Sequence, residues 1–143
     1  MKLDIGCDSR KAGPEYFGLD IGRSSDVDII ASADALPFKS ETFNEIYTRR
    51  CVQHIRNDET VFSEILRALK NNGRIRVIVA SWRGWLFFQI RWLLKKKPYN
   101  IFHIYTFRKL RKTFKKLGFR LIKIRKIKSI RRFGYDIILE AEK

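Results

Sequence analysis

The residues with the clearest chemical potential stand at the start of the chain, where an apolar strand meets a glycine. Leu3 and Ile5 alternate with polar neighbours, as in a half-buried strand, and Gly6 follows directly. Glycine accepts the backbone of a tight turn and lets a ligand approach closely. Ligands of open α/β sheets bind beyond the carboxyl ends of strands, so this turn predicts a nucleotide-cofactor site. An ordinary tight turn is the alternative.

Two carboxylates follow the next predicted strands in a similar way. Asp20 stands at the end of the strand-like segment 16–21, and Asp34 lies in the loop after 28–31. A carboxylate at a strand end can accept hydrogen bonds from both hydroxyls of a ribose. Each residue alone would serve equally well in a turn or as a helix cap. Their order after successive strands favours cofactor binding.

The elements that position these residues read as one α/β domain over residues 1–143. The predicted strands are 2–7, 16–21, 28–31, 43–48, 74–80, 121–127 and 135–141. Helices are predicted from Asn57 or Asp58 to a stop at 71–73, from Ser81 to about 95, and from Thr106 to 117. Only eight and six residues separate the first three strands, too few for crossover helices. We therefore expect an apolar sheet face without helices, covered by a dimer, a partner subunit or a late helix.

Composition narrows the setting of the protein. Cys7 and Cys51 are too few for a disulfide framework or a thiolate metal site, so we expect a reducing, cytoplasmic environment and no metal. The N-terminus lacks the pattern of a signal peptide. The longest apolar run, 84–94, is too short to span a bilayer, so we expect no transmembrane segment.

The charge of the chain is strongly asymmetric. Residues 1–80 carry 12 Lys and Arg against 12 Asp and Glu, whereas residues 81–143 carry 19 against 3, so the net charge of +16 lies in the basic C-terminal half. Such an excess suits a polyanion such as nucleic acid or an anionic lipid surface. A merely solvated basic surface is the alternative, although such surfaces usually carry Glu in similar numbers.

Four segments together resemble class I S-adenosylmethionine-dependent methyltransferases, in a shortened form similar to methyltransferase type 11. They are the strand and turn 3–7, the second strand 18–21, the loop 34–38 with the fourth strand 42–47, and the helix, turn and strand 66–75. The resemblance covers nearly the whole chain. It implies a Rossmann-like, mostly parallel seven-stranded sheet with an antiparallel C-terminal strand and with the first crossover helices shortened or absent.

The resemblance also implies S-adenosylmethionine as cofactor. The Gly6 turn would hold its methionine part, Asp20 its ribose, and Asp34 with Ala35 its adenine. The implied cofactor residues are Asp4, Gly6, Cys7, Asp20, Ile21, Asp34, Ala35, Leu36 and Arg49. Asp8 departs from the pattern, since it stands where the family usually has a second glycine.

Methyl transfer from a sulfonium depends mainly on positioning, so no residue is marked as catalytic by a motif. By resemblance, residues 47–54 would face the methyl group. His54 is the side chain there whose type titrates near neutral pH, which makes it the candidate base; a capping or packing role is the alternative.

RNA is the first acceptor that the sequence suggests, through the basic residues of 108–132. The nearby aromatic residues Trp82, Trp85, Phe102, Tyr105 and Phe133 suit stacking with unpaired bases, although simple packing explains them as well. Two alternatives remain open. The segment 81–97 could lie on a membrane surface, with a lipid or quinone precursor as acceptor. The chain could also be a non-catalytic, methyltransferase-like RNA-binding or subunit protein.

Overall fold

The computed structural model describes residues 1–81, 101–129 and 135–143. Its strands are β1 (Lys2–Ile5), β2 (Tyr16–Asp20), β3 (Ile29–Ile30), β4 (Phe43–Arg49), β5 (Leu69–Ala80), β6 (Arg120–Lys128) and β7 (Tyr135–Glu142). The described helices are a 3₁₀ turn (Val52–His54), α1 (Asp58–Ala68) and α2 (Phe107–Lys116). Apart from Ser81 itself, the helix predicted from Ser81 to about residue 95 lies outside the described residues.

The strands form one sheet in the order β3-β2-β1-β4-β5-β7-β6. Strands β1 to β5 run parallel, and β7 pairs antiparallel with both β5 and β6. The predicted fold class, including the antiparallel C-terminal strand and the missing first crossover helices, is confirmed. The carboxyl ends of β1, β2 and β4 meet at one edge of the sheet, which is where ligands of such folds bind.

The sequence predicts a helix stop at Asn71-Asn72-Gly73, and here the structure differs. Helix α1 already ends at Ala68, and β5 begins at Leu69. The pairing with β4 moves from Phe43–Leu69 to Glu45–Arg74, so residues 70–73 form an irregularity in the strand. Asn72 takes a positive φ of 61°, which asparagine tolerates better than most residues.

Both described α-helices cover the same face of the sheet. Leu3, Ile46 and Val77 point to this face from neighbouring strands and are fully buried. They belong to one core with Phe62 of α1 and Phe114 of α2, whose rings stack edge-on at 4.9 Å. This core fixes the helical layer against the central strands.

The opposite face of the sheet carries mainly polar side chains on its described strands. Lys2 of β1 contacts Glu45 of β4 at 3.3 Å, and the Tyr16 hydroxyl donates to Glu45 at 2.7 Å. Arg76 of β5 contacts Glu140 of β7 at 3.1 Å. The expectation of an apolar uncovered face is therefore wrong for these residues, because cross-strand charged pairs are readily solvated. A dimer or partner subunit on this face stays a prediction, but the argument from an exposed apolar surface no longer supports it.

Segment 101–106 is held against the start of α1 by a buried polar cluster. Tyr105 is fully buried, and its hydroxyl donates to Asp58 Oδ2 at 2.8 Å. His103 Nδ1 and Lys109 Nζ lie 3.6 and 3.7 Å from the same carboxylate. Burial raises the pKa of Tyr105 above its usual range, so the hydroxyl stays protonated and keeps donating. The cluster fixes the chain that leads into α2.

We expect Tyr105→Phe to lower the free energy of unfolding by about 1–3 kcal/mol, because buried Asp58 loses its closest donor. Urea denaturation at neutral pH measures this. Tyr135→Phe is the matched control, since the half-buried Tyr135 hydroxyl has no hydrogen bond to a described residue. Equal stability of the two variants would contradict the role of this hydrogen bond.

Candidate functional site

A cavity of about 410 Å³ opens at the carboxyl edge of the sheet, beyond β1, β2 and β4. Its size is in the range of small-molecule and cofactor sites. The lining residues are Ile5, Gly6, Asp8, Leu19, Asp20, Ile21, Ala31, Ser32, Ala33, Arg49, Arg50, Cys51, His54 and Ile55. The structure thus brings together the predicted residues Gly6, Asp20, Ile21, Arg49 and His54.

The Gly6 turn forms the wall of the cavity between β1 and β4. Gly6 has a positive φ of 74°, and its N–H donates to Leu19 O of β2 at 2.8 Å. A Cβ at this position would overlap with the Cβ of Cys51. The sequence predicts that Gly6 lets a ligand approach the backbone closely. The structure adds that a glycine is needed here to make room for Cys51.

Asp20 ends β2 and points into the cavity with both carboxylate oxygens fixed. Oδ2 accepts the N–H of Asp8 at 3.0 Å, and Oδ1 accepts the N–H of Gly22 at 3.2 Å. Each oxygen of a carboxylate has two acceptor sites, so each retains one. The carboxylate can therefore accept two neighbouring hydroxyls while the backbone holds its orientation.

Asp8 takes the left-handed backbone that a glycine would otherwise provide. Its φ is 48°, and aspartate is one of the few residues that tolerate this region. In this conformation its N–H faces Asp20 rather than solvent. The departure from the second glycine is thus compatible with the turn.

Two consecutive arginines at the end of β4 have different partners. Arg49 lines the cavity, as predicted. Arg50, which sequence reasoning missed, takes a positive φ of 57° and donates from its backbone N–H to Ile78 O at 2.7 Å. Its guanidinium binds buried Asp136 at 2.7 Å and the Ser129 hydroxyl at 2.6 Å. The Arg50–Asp136 ion pair joins the cavity to the facing ends of β6 and β7.

The 3₁₀ turn places His54 at the cavity and Gln53 behind it. Gln53 Oε1 accepts the N–H of Ala80 at 3.1 Å, and Gln53 Nε2 lies 3.4 Å from His54 Nε2. The side chain of Gln53 is buried and ties the turn to the end of β5. His54 therefore has a fixed place at the cavity, and its role as a base stays a prediction.

Asp4 and Cys7, two of the predicted cofactor residues, lie outside the cavity wall. Asp4 is buried on the polar side of β1, where Oδ2 accepts the N–H of Ala12 at 2.8 Å. Cys7 is buried, and its thiol lies 3.5 Å from Asp26 O. Both contacts hold the loop between β1 and β2, so Asp4 and Cys7 lie behind the cavity wall rather than in it.

The predicted adenine segment also lies outside the cavity wall, and several of its polar groups have partners within the protein. Asp34 accepts a hydrogen bond from the Ser32 hydroxyl, and the N–H of Ala35 donates to Ser32 O at 3.2 Å. The N–H of Leu36 donates to Glu64 Oε2 at 3.0 Å, and the Leu36 side chain is buried. Contact of Asp34, Ala35 and Leu36 with adenine stays a prediction.

Burial changes the acid–base properties of three side chains around the turn. It raises the pKa of Cys7 to about 11 and that of Cys51 to about 12, so both are thiols at neutral pH and neither is an activated nucleophile. It also raises the pKa of Asp4 to about 6, against the opposing hydrogen bond from Ala12. The chemistry of the cavity therefore depends on positioning rather than on a covalent cysteine.

Several cavity residues had no separate signal in the sequence. Ala31, Ser32 and Ala33 follow β3, and only the nearby Asp34 drew attention to this loop. Their small side chains leave space at the carboxyl edge. Cys51 and Ile55 reach the cavity through the turn after β4, where no local pattern indicates which side chains face inward.

Comparison with known proteins finds one family whose profile matches part of the chain. Residues 8–77 match the profile of a family described as a methyltransferase domain. Comparison with curated proteins gives no match. In the described residues, the structure contains no helix that is both long and apolar enough to cross a membrane.

Solved structures share the fold over nearly the whole chain. An S-adenosylmethionine-dependent methyltransferase from Methanosarcina mazei is 16% identical, with a TM-score of 0.78 over 99% of this chain and 91% of that one. The 1,6-didemethyltoxoflavin-N1-methyltransferase of Burkholderia thailandensis, solved with S-adenosylhomocysteine, is 13% identical, with a TM-score of 0.79 over 99% and 70%. A methyltransferase in complex with the Trm112 activator of Haloferax volcanii is 14% identical, with a TM-score of 0.74 over 99% and 81%.

The residues of the cavity fit S-adenosylmethionine, the cofactor that the sequence predicts. Asp20 keeps one acceptor site on each oxygen for the ribose hydroxyls. The cavity volume and the glycine turn at its base suit the rest of a nucleoside-sized ligand. Arg49 adds a cation that can face a carboxylate.

We expect Asp20→Asn to weaken binding of S-adenosylhomocysteine by about tenfold to a hundredfold, because the amide keeps one acceptor oxygen and loses the charge. Isothermal titration calorimetry measures the affinity. Asp26→Asn is the control, since Asp26 binds the N–H of Lys11 outside the cavity. Unchanged affinity of the Asp20 variant would remove this residue from the cofactor site.

Asp4→Asn should stabilise the protein at neutral pH. The folded-state pKa of Asp4 is raised from 3.8 to about 6, so the folded protein holds its proton more tightly and loses stability as the pH rises through this window. The amide keeps an acceptor for Ala12 and removes the buried charge. We expect a gain of up to about 3 kcal/mol at pH 7.5 and a smaller gain at pH 5. Urea denaturation at both values measures this, and a larger gain at pH 5 would refute it.

Proposed function

Since the chain has the domain and the fold of S-adenosylmethionine-dependent methyltransferases, we propose that this enzyme transfers the methyl group of its cofactor to RNA. The observation that carries the choice of RNA is a set of exposed cations on α2 that have no acidic partner among the described residues. The methyltransferase activity is the premise, and the acceptor is the proposal.

Helix α2 separates its cations into two groups. Lys109 lies 3.7 Å from Asp58, and Lys116 binds Glu59 at 2.9 Å, so these two attach the helix to α1. The other four form no ion pair with a described residue. They line, with Phe107, an open groove of about 650 Å³, which we call the basic groove: Phe107, Arg108, Arg111, Lys112 and Lys115.

The outer edge strand β6 extends this positive surface. Apart from Arg120, which pairs with Glu142, its exposed cations are Lys123, Arg125, Lys126 and Lys128. The register with β7 places Lys126 and Lys128 on the helical face and the other two on the opposite face. Cations on an edge strand also prevent pairing with other chains, which is a sufficient reason for those of β6. Helix α2 is not an edge strand, so the need to prevent pairing does not explain its cations. The basic groove is therefore the stronger support for an RNA acceptor.

The basic groove is close to the cavity along the chain. Phe102 and His103 donate backbone hydrogen bonds to Gln53 O at 2.9 and 3.3 Å, directly beside His54. Helix α2 begins only four residues after His103, at Phe107. A nucleic acid whose phosphates contact the groove would thus pass near the cavity.

Within this proposal, each side chain has a limited task. Bound S-adenosylmethionine supplies an electrophilic methyl group on a sulfonium, which an acceptor atom attacks in line. Asp20 and the Gly6 turn orient the ligand, and the small residues after β3 leave it room. His54, which lines the cavity, would take a proton from the acceptor when the acceptor atom carries one.

The double variant Arg111→Glu with Lys115→Glu should abolish methylation of bulk tRNA with radiolabelled S-adenosylmethionine. It should also lower the salt dependence of binding, by about 0.7 in the log–log slope for each phosphate of a single strand that the variant no longer neutralises. Lys39→Glu with Lys70→Glu makes the same change of charge on exposed residues elsewhere and should retain activity.

Calorimetry with S-adenosylhomocysteine is the control for folding, and both double variants should still bind this cofactor product. Absence of label in tRNA and ribosomal RNA with the unaltered enzyme would refute an RNA acceptor. Methylation of a lipid or quinone precursor in anionic liposomes would then favour the membrane alternative.

A further inference from the structure

We propose that Phe102 and Arg56 form a stacking platform for one unpaired nucleobase at the entrance of the cavity. This inference rests on the proposed RNA acceptor and assigns a binding site for its bases, whereas the basic groove would contact phosphates. The two kinds of contact can be separated experimentally.

The platform combines two flat groups that remain accessible. Phe102 is 43% exposed, although it is a large apolar side chain in a well-anchored segment. The guanidinium carbon of exposed Arg56 lies 5.2 Å from the centre of the Phe102 ring. Aromatic rings and guanidinium planes are the surfaces on which proteins stack unpaired bases.

Hydrogen bonds fix the backbone on both sides of the platform. The N–H of Phe102 donates to Gln53 O at 2.9 Å, and His103 Nε2 donates to the carbonyl of Arg56 at 2.8 Å. The other ring nitrogen of His103 faces Asp58, the residue that Tyr105 also binds. A platform held in this way loses little conformational entropy when a base stacks on it.

The position of the platform connects the two surfaces already described. Arg56 directly follows His54 and Ile55, which line the cavity. Phe107 of the basic groove lies five residues after Phe102. Along the chain, the platform therefore lies beside two residues that line the cavity and shortly before the start of the basic groove.

The structure also separates Phe102 from the other aromatic residues considered for stacking. Tyr105 is fully buried, and its hydroxyl is committed to Asp58, so it has no face for a base. Trp82, Trp85 and Phe133 lie outside the described residues. Ile104 is 39% exposed in the same segment and offers a nearby apolar surface without a ring.

The test uses two fluorescent single-stranded RNAs of about nine nucleotides, within the site size of single-strand binders. One has a mixed sequence, and the other is abasic with the same phosphates. Fluorescence anisotropy should show that Phe102→Ala binds the mixed sequence about tenfold more weakly, as expected for loss of one stacked base. Binding of the abasic strand should not change. Phe102→Trp should restore the affinity, and Ile104→Ala, the matched control, should bind both strands normally.

The possible results distinguish this inference from the proposed function. Equal loss on both strands, or no difference between Phe102→Ala and Ile104→Ala, overturns the platform and leaves the RNA acceptor standing. No binding of either strand by the unaltered enzyme overturns both. Each variant should still bind S-adenosylhomocysteine in calorimetry, and this control separates a weakened affinity for RNA from unfolding.

Discussion

The contact between Gly6 and Cys51 is the constraint on which the rest of the cavity depends. These residues follow the neighbouring strands β1 and β4, and their approach is possible only because position 6 has no Cβ. The left-handed turn at Gly6 directs its N–H to Leu19, and two residues later the N–H of Asp8 reaches Asp20. The orientation of the Asp20 carboxylate is therefore a consequence of how closely two strand ends pack.

Loss of the first crossover helices has been accommodated by the residue types of the strands. A parallel sheet usually has helices on both faces and apolar residues on both sides of its strands. Here the core lies on the face of α1 and α2, while Lys2, Glu45 and Arg76 occupy the other face near β1, β4 and β5. Exposed pairs of this kind contribute little to stability. Their effect is to make this face soluble at the described residues that carry them.

Local patterns in the sequence were sufficient to predict most elements and the residues at strand ends. Both described helices begin at the expected caps, where Asn57 accepts the N–H of Thr60 at 3.2 Å and Thr106 accepts that of Lys109 at 3.1 Å. Gly6 and Asp20 reached the same cavity because parallel strands end at one edge.

The interactions that sequence reasoning missed are those between distant parts of the chain. The Arg50–Asp136 ion pair spans 86 positions and leaves no periodic signal in either segment. Tyr105 and Phe102 are aromatic residues of the same short segment, yet Tyr105 is fully buried and Phe102 is exposed. The difference comes from the contact of Tyr105 with distant Asp58, which the local sequence does not reveal. The start of β5 differs from the prediction for a related reason, because pairing of Leu69 with Phe43 determines it rather than the Asn-Asn-Gly signal.

The arrangement of cations on α2 argues for a ligand more strongly than their number does. Among Arg108, Arg111, Lys112 and Lys115, four pairs are three or four positions apart, so like charges stand next to one another on the helix surface and destabilise it. Arg108 also lies in the first turn, where the helix dipole disfavours a cation and where no acidic residue compensates. The cap at Thr106 and the buried Leu110 and Phe114 offset these costs. A polyanion in the basic groove would relieve the same repulsion among the cations. Its binding would therefore stabilise α2 as well as the complex.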